Sequence, residues 1–271
     1  MLKQRIITSL ILAPLIGWGI YSLPQNIFTY IMAAVIAIGA WEWTKICHIE
    51  SLILRSLYVA GIISISLFVI NASTDPNVLI ISLLVINVWW IAILLRLIQY
   101  RTIKLETTIN YFDSTLAGVL TLAGCLITFV VLRERFVPHF VMALMFLVWG
   151  ADTFAYFFGK KFGKIKLLPE ISPGKTIEGL YGAILGALII GTLAGLLMGI
   201  HGMALFYFVI ICLVTVLFSI AGDLHESLYK RKAQIKDSGS ILPGHGGIMD
   251  RIDSLTSAAP VYLTGLMLLK G

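Results

Sequence analysis

The chain has 271 residues, of which 59% are hydrophobic and 13% charged, with a formal net charge of +6. A water-soluble globular domain is usually about 25% charged, and here the apolar runs recur at lengths near the roughly 20 residues that cross a bilayer. This composition excludes an ordinary soluble enzyme and predicts an all-α polytopic integral membrane protein. No repeat and no long polar region interrupts the series of runs, so we expect a single membrane-embedded domain over residues 1–271.

Nine transmembrane helices are predicted from the apolar runs, taken in chain order. They cover residues 6–23, 27–46, 52–70, 78–95, 116–132, 140–158, 176–200, 203–221 and 254–269. The first run follows Lys3 and Arg5, as a signal peptide would. It is longer than the apolar core of such a peptide and no Ala-x-Ala site follows it, so it is predicted to remain as the first span. Residues 1–132 then form the N-terminal helices, and residues 139–271 form the half that contains the candidate chemistry.

The positions of the basic residues predict the orientation of the chain. If the N-terminus lies in the cytoplasm, 17 of the 20 lysines and arginines fall on the cytoplasmic side. Basic residues concentrate on that side in membrane proteins. We therefore expect a multi-pass protein of the cell inner (plasma) membrane, with its N-terminus and the polar segments 159–175 and 223–252 facing the cytoplasm.

The segment 223–253 holds ten charged residues between two uncharged apolar runs. If the eighth helix continues past Ala221, then Asp223, Glu226, Ser227 and Lys230 share one of its faces. Carboxylates within or beside membrane spans are costly and usually mark a polar site. We therefore interpret this segment as the candidate active site.

Basic residues and glycines follow along the same segment. Lys230 and Lys236 belong to a cluster suited to phosphate oxygens, and Gly246-Gly247 would let backbone N–H groups approach an anion. Asp250 then begins the last helix. Mg²⁺ is typically held by one or two carboxylates together with substrate phosphates. These residues favour a magnesium–nucleotide site over a polar loop whose charges only set topology.

A second polar loop contains Gly174-Lys175-Thr176, which resembles part of a P-loop. Pro169 stands where the Walker A pattern needs glycine, and no strand is expected before it, so that interpretation is rejected. Ser172 is predicted to cap the seventh helix. Lys175 would then lie near a helix N-terminus, where anions are favoured.

Other polar and small residues have less specific interpretations. Asp152, in the sixth span, is either an ion-pair partner or part of the substrate site. Glu42 stands between Trp41 and Trp43, which fit an aromatic belt, and is expected to be an interface residue or an ion-pair partner. Gly182 and Gly186 predict close helix packing. The three cysteines have no CxxC spacing, which excludes a disulfide framework and a cysteine metal site.

One long pattern in the segment 223–253 resembles the motif of the phosphatidate cytidylyltransferase (CDP-diacylglycerol synthase) family. The matching residues are Ser227, Lys230-Arg231, Lys236-Asp237, Gly239, Leu242-Pro243, His245-Gly246-Gly247 and Asp250-Arg251-Ile252-Asp253. Tyr229 departs from the pattern, which usually has an aliphatic residue or Phe there. The stretch 172–179 also resembles a family segment, with Gly174 where Lys is common, whereas the first ~130 residues match only in hydropathy.

The resemblance implies a nucleotidyltransferase that converts CTP and phosphatidate into CDP-diacylglycerol and diphosphate in phospholipid biosynthesis. It implies Mg²⁺ as cofactor, with a second cation left open, and the lipid bilayer as surroundings. No nucleic acid partner is expected, and a homodimer is left open. The implied metal ligands are Asp223 and Asp250. The residues implied in catalysis are Asp223, Asp250, Lys230, Arg231, Lys236 and Arg251, and those implied in substrate binding are Ser172, Lys175, Thr176, Ser227, His245, Gly246 and Gly247.

Two other functions fit parts of the sequence. A transporter of a phosphorylated solute would also have many spans and a basic cytoplasmic face, but it needs charges at mid-membrane depth. Another CTP-using membrane lipid or polyprenol transferase would share the nucleotide chemistry. The phosphate of phosphatidate is largely a dianion at neutral pH because its second pKa is about 6. The nucleophile therefore needs no strong base, and His245 is predicted to be a hydrogen-bond donor.

Overall fold

The structure is a computed structural model that describes residues 2–100, 110–239, 241 and 246–270, with the backbone alone for residues 2–11 and for Lys270. Nine helices and one hairpin are found in these residues. The helices are α1 Leu2–Ser22, α2 Gln25–Ile46, α3 Leu52–Ala72, α4 Pro76–Gln99, α5 Tyr111–Arg135, α6 Pro138–Phe162, α7 Ile177–Leu197, α8 Gly202–Lys232 and α9 Met249–Lys270. The strands are β1 Lys166–Leu168 and β2 Ser172–Thr176.

Eight of the helices in the described residues, α2 to α9, are long and apolar enough to cross a membrane. The prediction of an all-α polytopic membrane protein with about nine spans is confirmed. The largest boundary difference is at α8, which ends at Lys232, eleven residues beyond the predicted apolar span. Helix α9 begins at Met249, which includes Asp250 as expected and starts five residues before the predicted apolar span.

The chain forms two compact units, which are described one at a time. Unit 1 comprises the described residues of Met1–Leu84, Thr107–Met142 and Tyr229–Asp253. Unit 2 comprises those of Val85–Glu106, Ala143–Leu228 and Ser254–Gly271. The single domain expected from the sequence stays a prediction.

Unit 1 is organised around α5. In the most apolar 18-residue stretch of α5, 78% of the residues are buried, whereas in that of α3 only 11% are buried. Helix α5 therefore forms the centre of this unit. Trp43 of α2 donates from Nε1 to the carbonyl of Ser114 over 2.9 Å, and Tyr58 of α3 donates its hydroxyl to the carbonyl of Thr115 over 3.0 Å. Gly118 makes room for both rings, because a Cβ there would lie 2.2 Å from the Tyr58 hydroxyl.

Unit 2 relies on glycines for close helix packing. Gly182 and Gly186 of α7 lie against Phe154 and Phe158 of α6, and a Cβ at Gly182 would come within 2.6 Å of Phe158. The prediction that this pair serves close packing is confirmed. Helices α8 and α9 are joined by the Ser257 hydroxyl, which donates to the carbonyl of Phe218 over 2.6 Å.

The loop between α6 and α7 contains an antiparallel hairpin that the sequence did not predict. Strand β1 pairs with β2, and the register shifts by a bulge between Lys166 and Leu168. A strand therefore does precede α7. The Walker A pattern still fails because Pro169 stands at the position that requires glycine.

Candidate active site

In unit 2, Asp223 of α8 is held by two polar side chains. Its Oδ2 lies 2.8 Å from Nζ of Lys175, and its Oδ1 accepts the hydroxyl of Ser227 over 3.2 Å. The two side chains of the ion pair remain 25% and 32% exposed, so water and solutes can reach them. Asp152 of α6 interacts electrostatically with both Lys175 and Asp223. Lys175 therefore compensates a local excess of negative charge.

The hairpin brings Lys175 to Asp223 because the following residue fixes the start of α7. Thr176 is the N-cap residue, and its hydroxyl oxygen accepts the N–H of Gly179 over 3.1 Å. The prediction that Ser172 caps this helix is wrong, because Ser172 lies in β2, four residues too early. Glu178 in the first turn accepts the N–H of Ile165 at 3.3 Å and so ties the start of the hairpin to α7.

In unit 1, Asp250 lies in the first turn of α9 at the centre of a dense network. Its Oδ1 lies 2.6 Å from Nζ of Lys230, and each of these side chains is only 11% exposed. Its Oδ2 accepts the N–H of Gly247 over 2.8 Å, and the N–H and hydroxyl of Ser238 over 3.2 and 3.1 Å. The carboxylate therefore has one lysine counter-ion and a fixed orientation.

The glycines on the N-terminal side of Asp250 have different roles. Gly246 has a φ of +83°, a conformation that side-chain-bearing residues rarely adopt. The N–H of Gly247 is donated to Asp250, so it positions this carboxylate. A phosphate contact stays a prediction for both glycines. His245 lies outside the described residues, as do Leu242 and Pro243 of the motif.

The remaining basic residues of the predicted site lie at the surface of unit 1. Lys236 and Arg251 are exposed, and Arg231 is half-buried. Solutes can therefore reach Lys236 and Arg251 from the solvent side of this unit. The roles assigned to them from the sequence stay predictions.

Tyr229, which departs from the motif, has a specific partner. Its hydroxyl donates to Oδ2 of Asp113 over 2.7 Å, and its ring packs 5.6 Å from the ring of Trp43. The phenol therefore joins the end of α8 to α5 and α2 within unit 1. An aliphatic residue would fill this space but would leave Asp113 without the bond.

Sequence reasoning missed one carboxylate of this network. Glu42 of α2 is 1% exposed, and Trp43 beside it is fully buried, so the predicted interface role and aromatic belt are wrong for these two residues. Oε2 of Glu42 accepts the hydroxyl of Ser238 and the N–H of Met249. The signal in the sequence was a carboxylate inside an apolar span, and its partners lie about 200 residues away in the chain.

Two carboxylates of the predicted site, one in each unit, have the donor chemistry of magnesium ligands. Asp223 and Asp250 offer hard carboxylate oxygens, which Mg²⁺ prefers. Within the part of the chain that the structure describes, no three His, Cys, Asp or Glu side chains group closely enough to hold a metal by themselves. Mg²⁺ usually keeps several waters and binds through one or two carboxylates and phosphate oxygens, so each of the two carboxylates fits such an ion by its donor type.

Comparison with known proteins identifies the family. The sequence model of the Cytidylyltransferase family matches residues 3–269. The chain belongs to the cytidylyltransferase family.

Proteins named phosphatidate cytidylyltransferase are similar to this member over nearly their whole length. The protein of Pseudomonas aeruginosa is 38% identical over 267 residues, covering 97% of this chain and 96% of its own. That of Haemophilus influenzae is 34% identical over 288 residues, covering 97% of each chain. That of Bacillus subtilis is 32% identical over 271 residues, covering 96% and 95%. The family likeness therefore extends to the N-terminal helices, which the sequence had matched only in hydropathy.

Proposed function

We propose that this cytidylyltransferase transfers a cytidylyl group from CTP to phosphatidate. The observation that carries the proposal is the similarity over nearly the whole chain to three bacterial proteins that have this activity in their names. The geometry supports it, since Asp223 and Asp250 each have a lysine partner. Carboxylates and lysines together suit a reaction among polyphosphates, where charge must be both bound and neutralised.

The reaction balances without a further reactant. A phosphate oxygen of phosphatidate attacks the α-phosphorus of CTP and forms a new P–O bond. The bond between the α-phosphorus and its bridging oxygen breaks, and diphosphate leaves with that electron pair. The attacking phosphate is already largely a dianion at neutral pH because its second pKa is about 6. No side chain has to remove a proton, so the protein's work is positioning and charge compensation.

The charged residues of the candidate site and Ser227 have proposed parts in this work. Asp223 and Asp250 are the proposed ligands of Mg²⁺, and Ser227 holds the first of them by its hydroxyl. When bound, Mg²⁺ would neutralise phosphate charge and orient the nucleotide. Lys175 and Lys230, which pair with the two carboxylates, would then be released to phosphate oxygens. The other basic residues proposed to bind phosphate are Arg231, Lys236 and Arg251.

The surroundings of the reaction follow from the substrates. Phosphatidate is a membrane lipid and CTP is a cytosolic solute, so we propose that they meet at the cytoplasmic face of the inner membrane. The positive-inside pattern supports this orientation, because 17 of the 20 lysines and arginines fall on that side of the predicted topology. A homodimer stays a prediction, which size-exclusion chromatography with light scattering would test.

The test is a liponucleotide assay with purified protein in detergent. Phosphatidate, Mg²⁺ and labelled CTP should give a labelled CDP-lipid and diphosphate, whereas ATP in place of CTP should give far less. A polyprenol kinase would form no CDP-lipid and would release CDP once a polyprenol is added, and a transporter would give no product. Either result would exclude the proposed activity.

Two variants test the metal ligands within the same assay. Asp223→Asn and Asp250→Asn keep the side-chain shape but remove the charge, so turnover should fall at least about 100-fold. Glu50→Gln, at an exposed carboxylate of unit 1, is the matched control and should keep normal turnover. Normal activity in either aspartate variant would contradict its assignment as a magnesium ligand.

A further inference from the structure

Glu42 of α2 binds two parts of the chain that lie on either side of residues 240–245. Its Oε2 accepts the hydroxyl of Ser238 over 3.1 Å, and it accepts the N–H of Met249 over 2.8 Å. Lys45, one turn further along α2, donates to the carbonyl of Ser238 over 3.4 Å. Helix α2 therefore holds this segment before residue 240 and after residue 245.

The backbone at Gly239 and Gly247 lies close to the carboxylate of Glu42. A Cβ at Gly239 would lie 2.0 Å from Oε1, and a Cβ at Gly247 would lie 2.5 Å from Oε2. Real Cβ atoms do not approach other atoms so closely. A side chain at Gly239 would therefore displace the carboxylate of Glu42, and one at Gly247 would displace both that carboxylate and the hydroxyl of Ser238.

The same groups hold Asp250. The hydroxyl of Ser238 lies 3.1 Å from Oε2 of Glu42 and 3.1 Å from Oδ2 of Asp250. A hydroxyl has one proton and donates to one of them at a time. The N–H groups of Ser238 and Gly247 donate to Asp250 as well. Whatever fixes Ser238 and Gly247 therefore also fixes the carboxylate of Asp250.

Burial of Glu42 is costly unless it serves a purpose. Among the described residues, none donates a hydrogen bond to its Oε1, although this oxygen is buried. A buried acceptor without a partner costs about 1–3 kcal/mol. An apolar residue would pack this interior with less loss, so stability alone does not account for a carboxylate here.

We propose that Glu42 is a positioning residue for cytidylyl transfer. It fixes Ser238 and Met249, and through Ser238 and Gly247 it sets the orientation of Asp250. The inference rests on the proposed function, in which Asp250 takes part in the reaction. Glu42 itself acts through this network.

The experiment compares Glu42→Ala, Ser238→Ala and the double variant. Each single change should lower kcat by about tenfold or more, the range seen when a supporting partner of a ligand is lost. KM for phosphatidate should stay within about twofold, because the contacts that bind the substrate equally in the ground state and in the transition state are unchanged. The double variant should lose no more than Glu42→Ala alone, because both changes break one chain of contacts.

Hydrogen exchange provides a readout that does not depend on turnover. Peptides covering residues 246–250 should exchange faster in Glu42→Ala, while peptides from α5 stay protected. Thr44→Val is the matched control on the same helix, since among the residues that the structure describes the buried hydroxyl of Thr44 bonds within α2, to the carbonyl of Trp41. It should leave kcat and exchange at wild-type values.

The outcomes separate this inference from the proposed function. If Glu42→Ala is not recovered folded, Glu42→Gln takes its place, because it keeps the volume but offers one accepting oxygen. Wild-type kcat and exchange in the Glu42 variant would overturn the positioning role, as would losses that multiply in the double variant. If the wild-type protein forms no CDP-lipid, the proposed function fails, and the exchange measurement still decides whether Glu42 fixes residues 246–250.

Discussion

Nζ of Lys175 lies 2.8 Å from Oδ2 of Asp223. The lysine therefore occupies one oxygen of the carboxylate that is proposed to bind Mg²⁺, and we expect it to move away if a cation takes that oxygen. Lys230 stands in the same relation to Asp250, at 2.6 Å. Each lysine compensates a carboxylate in the free protein, and in the proposed mechanism it would become available to phosphate once a cation replaces it.

Removing the ammonium group of Lys175 should strengthen the binding of divalent cation and weaken the binding of CTP. A partly exposed ion pair contributes roughly 0.2–1 kcal/mol, so in Lys175→Met the affinity of the nucleotide-free protein for divalent cation should rise by no more than about fivefold. KM for CTP should rise, because a phosphate contact is lost. Electron paramagnetic resonance with Mn²⁺ in place of Mg²⁺ measures the first effect, and steady-state kinetics measures the second.

A second lysine of the hairpin serves as the control for Lys175. Lys166 is an exposed residue of β1. Lys166→Met should change neither Mn²⁺ affinity nor KM for CTP. Weaker cation binding in Lys175→Met would contradict the idea that a cation replaces Lys175 beside Asp223. It would mean that the lysine side chain favours cation binding.

Two glycines of the candidate site should respond differently to alanine. In Gly247→Ala the new methyl group would lie 2.1 Å from the hydroxyl oxygen of Ser238, so the network around Asp250 must shift and turnover should fall at least about tenfold. A methyl group added at Gly174, in the middle of β2, would meet no atom within 4 Å, and the backbone there is not left-handed, so Gly174→Ala should keep full turnover. Equal activities of the two variants in the liponucleotide assay would show that close packing at Gly247 is irrelevant.

The helices could be predicted from the sequence because lipid imposes a simple requirement. Each span must satisfy its own backbone and present apolar side chains, so hydropathy alone locates it. The same criterion began the ninth apolar span at residue 254 because Asp250, Arg251 and Asp253 are charged, although α9 already starts at Met249. Hydropathy also gives no signal for a short hairpin such as β1–β2, whose strands carry Pro173 and Gly174.

The candidate site could be predicted only in part, because its contacts join residues that are far apart in the chain. Asp250, Lys230 and Ser227 were found from charge and spacing within one segment. Glu42 was misread because its partners Ser238 and Met249 follow it by 196 and 207 residues. A single sequence does not show which distant N–H and hydroxyl groups reach a buried carboxylate.

Stability should fall at alkaline pH in a way that depends on Cys47. This residue follows α2 and is 3% exposed, and burial raises the pKa of its thiol above the ordinary value of 9.0. The folded protein therefore keeps the thiol protonated at a pH where the unfolded chain has lost that proton. The resulting stabilisation is fully present below the unfolded pKa and is lost as pH rises through the folded value.

Melting temperatures measured from pH 7 to pH 11 test this dependence. The wild-type protein should lose more stability above pH 9.0 than Cys47→Ala does, and the two curves should run parallel below that value. A water-soluble maleimide should also label Cys47 slowly in the folded protein at pH 8. Rapid labelling under these conditions would mean that the thiol is accessible.

Arg133 of α5 should be a main support of the connection between α1 and α2. Its guanidinium donates to the carbonyl of Ile20 over 3.0 Å, to the carbonyl of Leu23, and to Oε1 of Gln25 over 2.6 Å. It also lies 4.8 Å from the ring centre of Phe28.

Lysine carries the same charge but cannot present several donors in one plane. Because each lost bond to a charged donor costs about 1.5–3 kcal/mol, Arg133→Lys should lower the melting temperature by roughly 5 °C or more. At low temperature kcat and KM should stay normal, since these contacts touch none of the residues proposed for catalysis. Glu134→Gln, at the exposed neighbouring position, should keep the melting temperature of the wild type. A wild-type melting temperature in Arg133→Lys would contradict the claim that Arg133 stabilises the connection between α1 and α2.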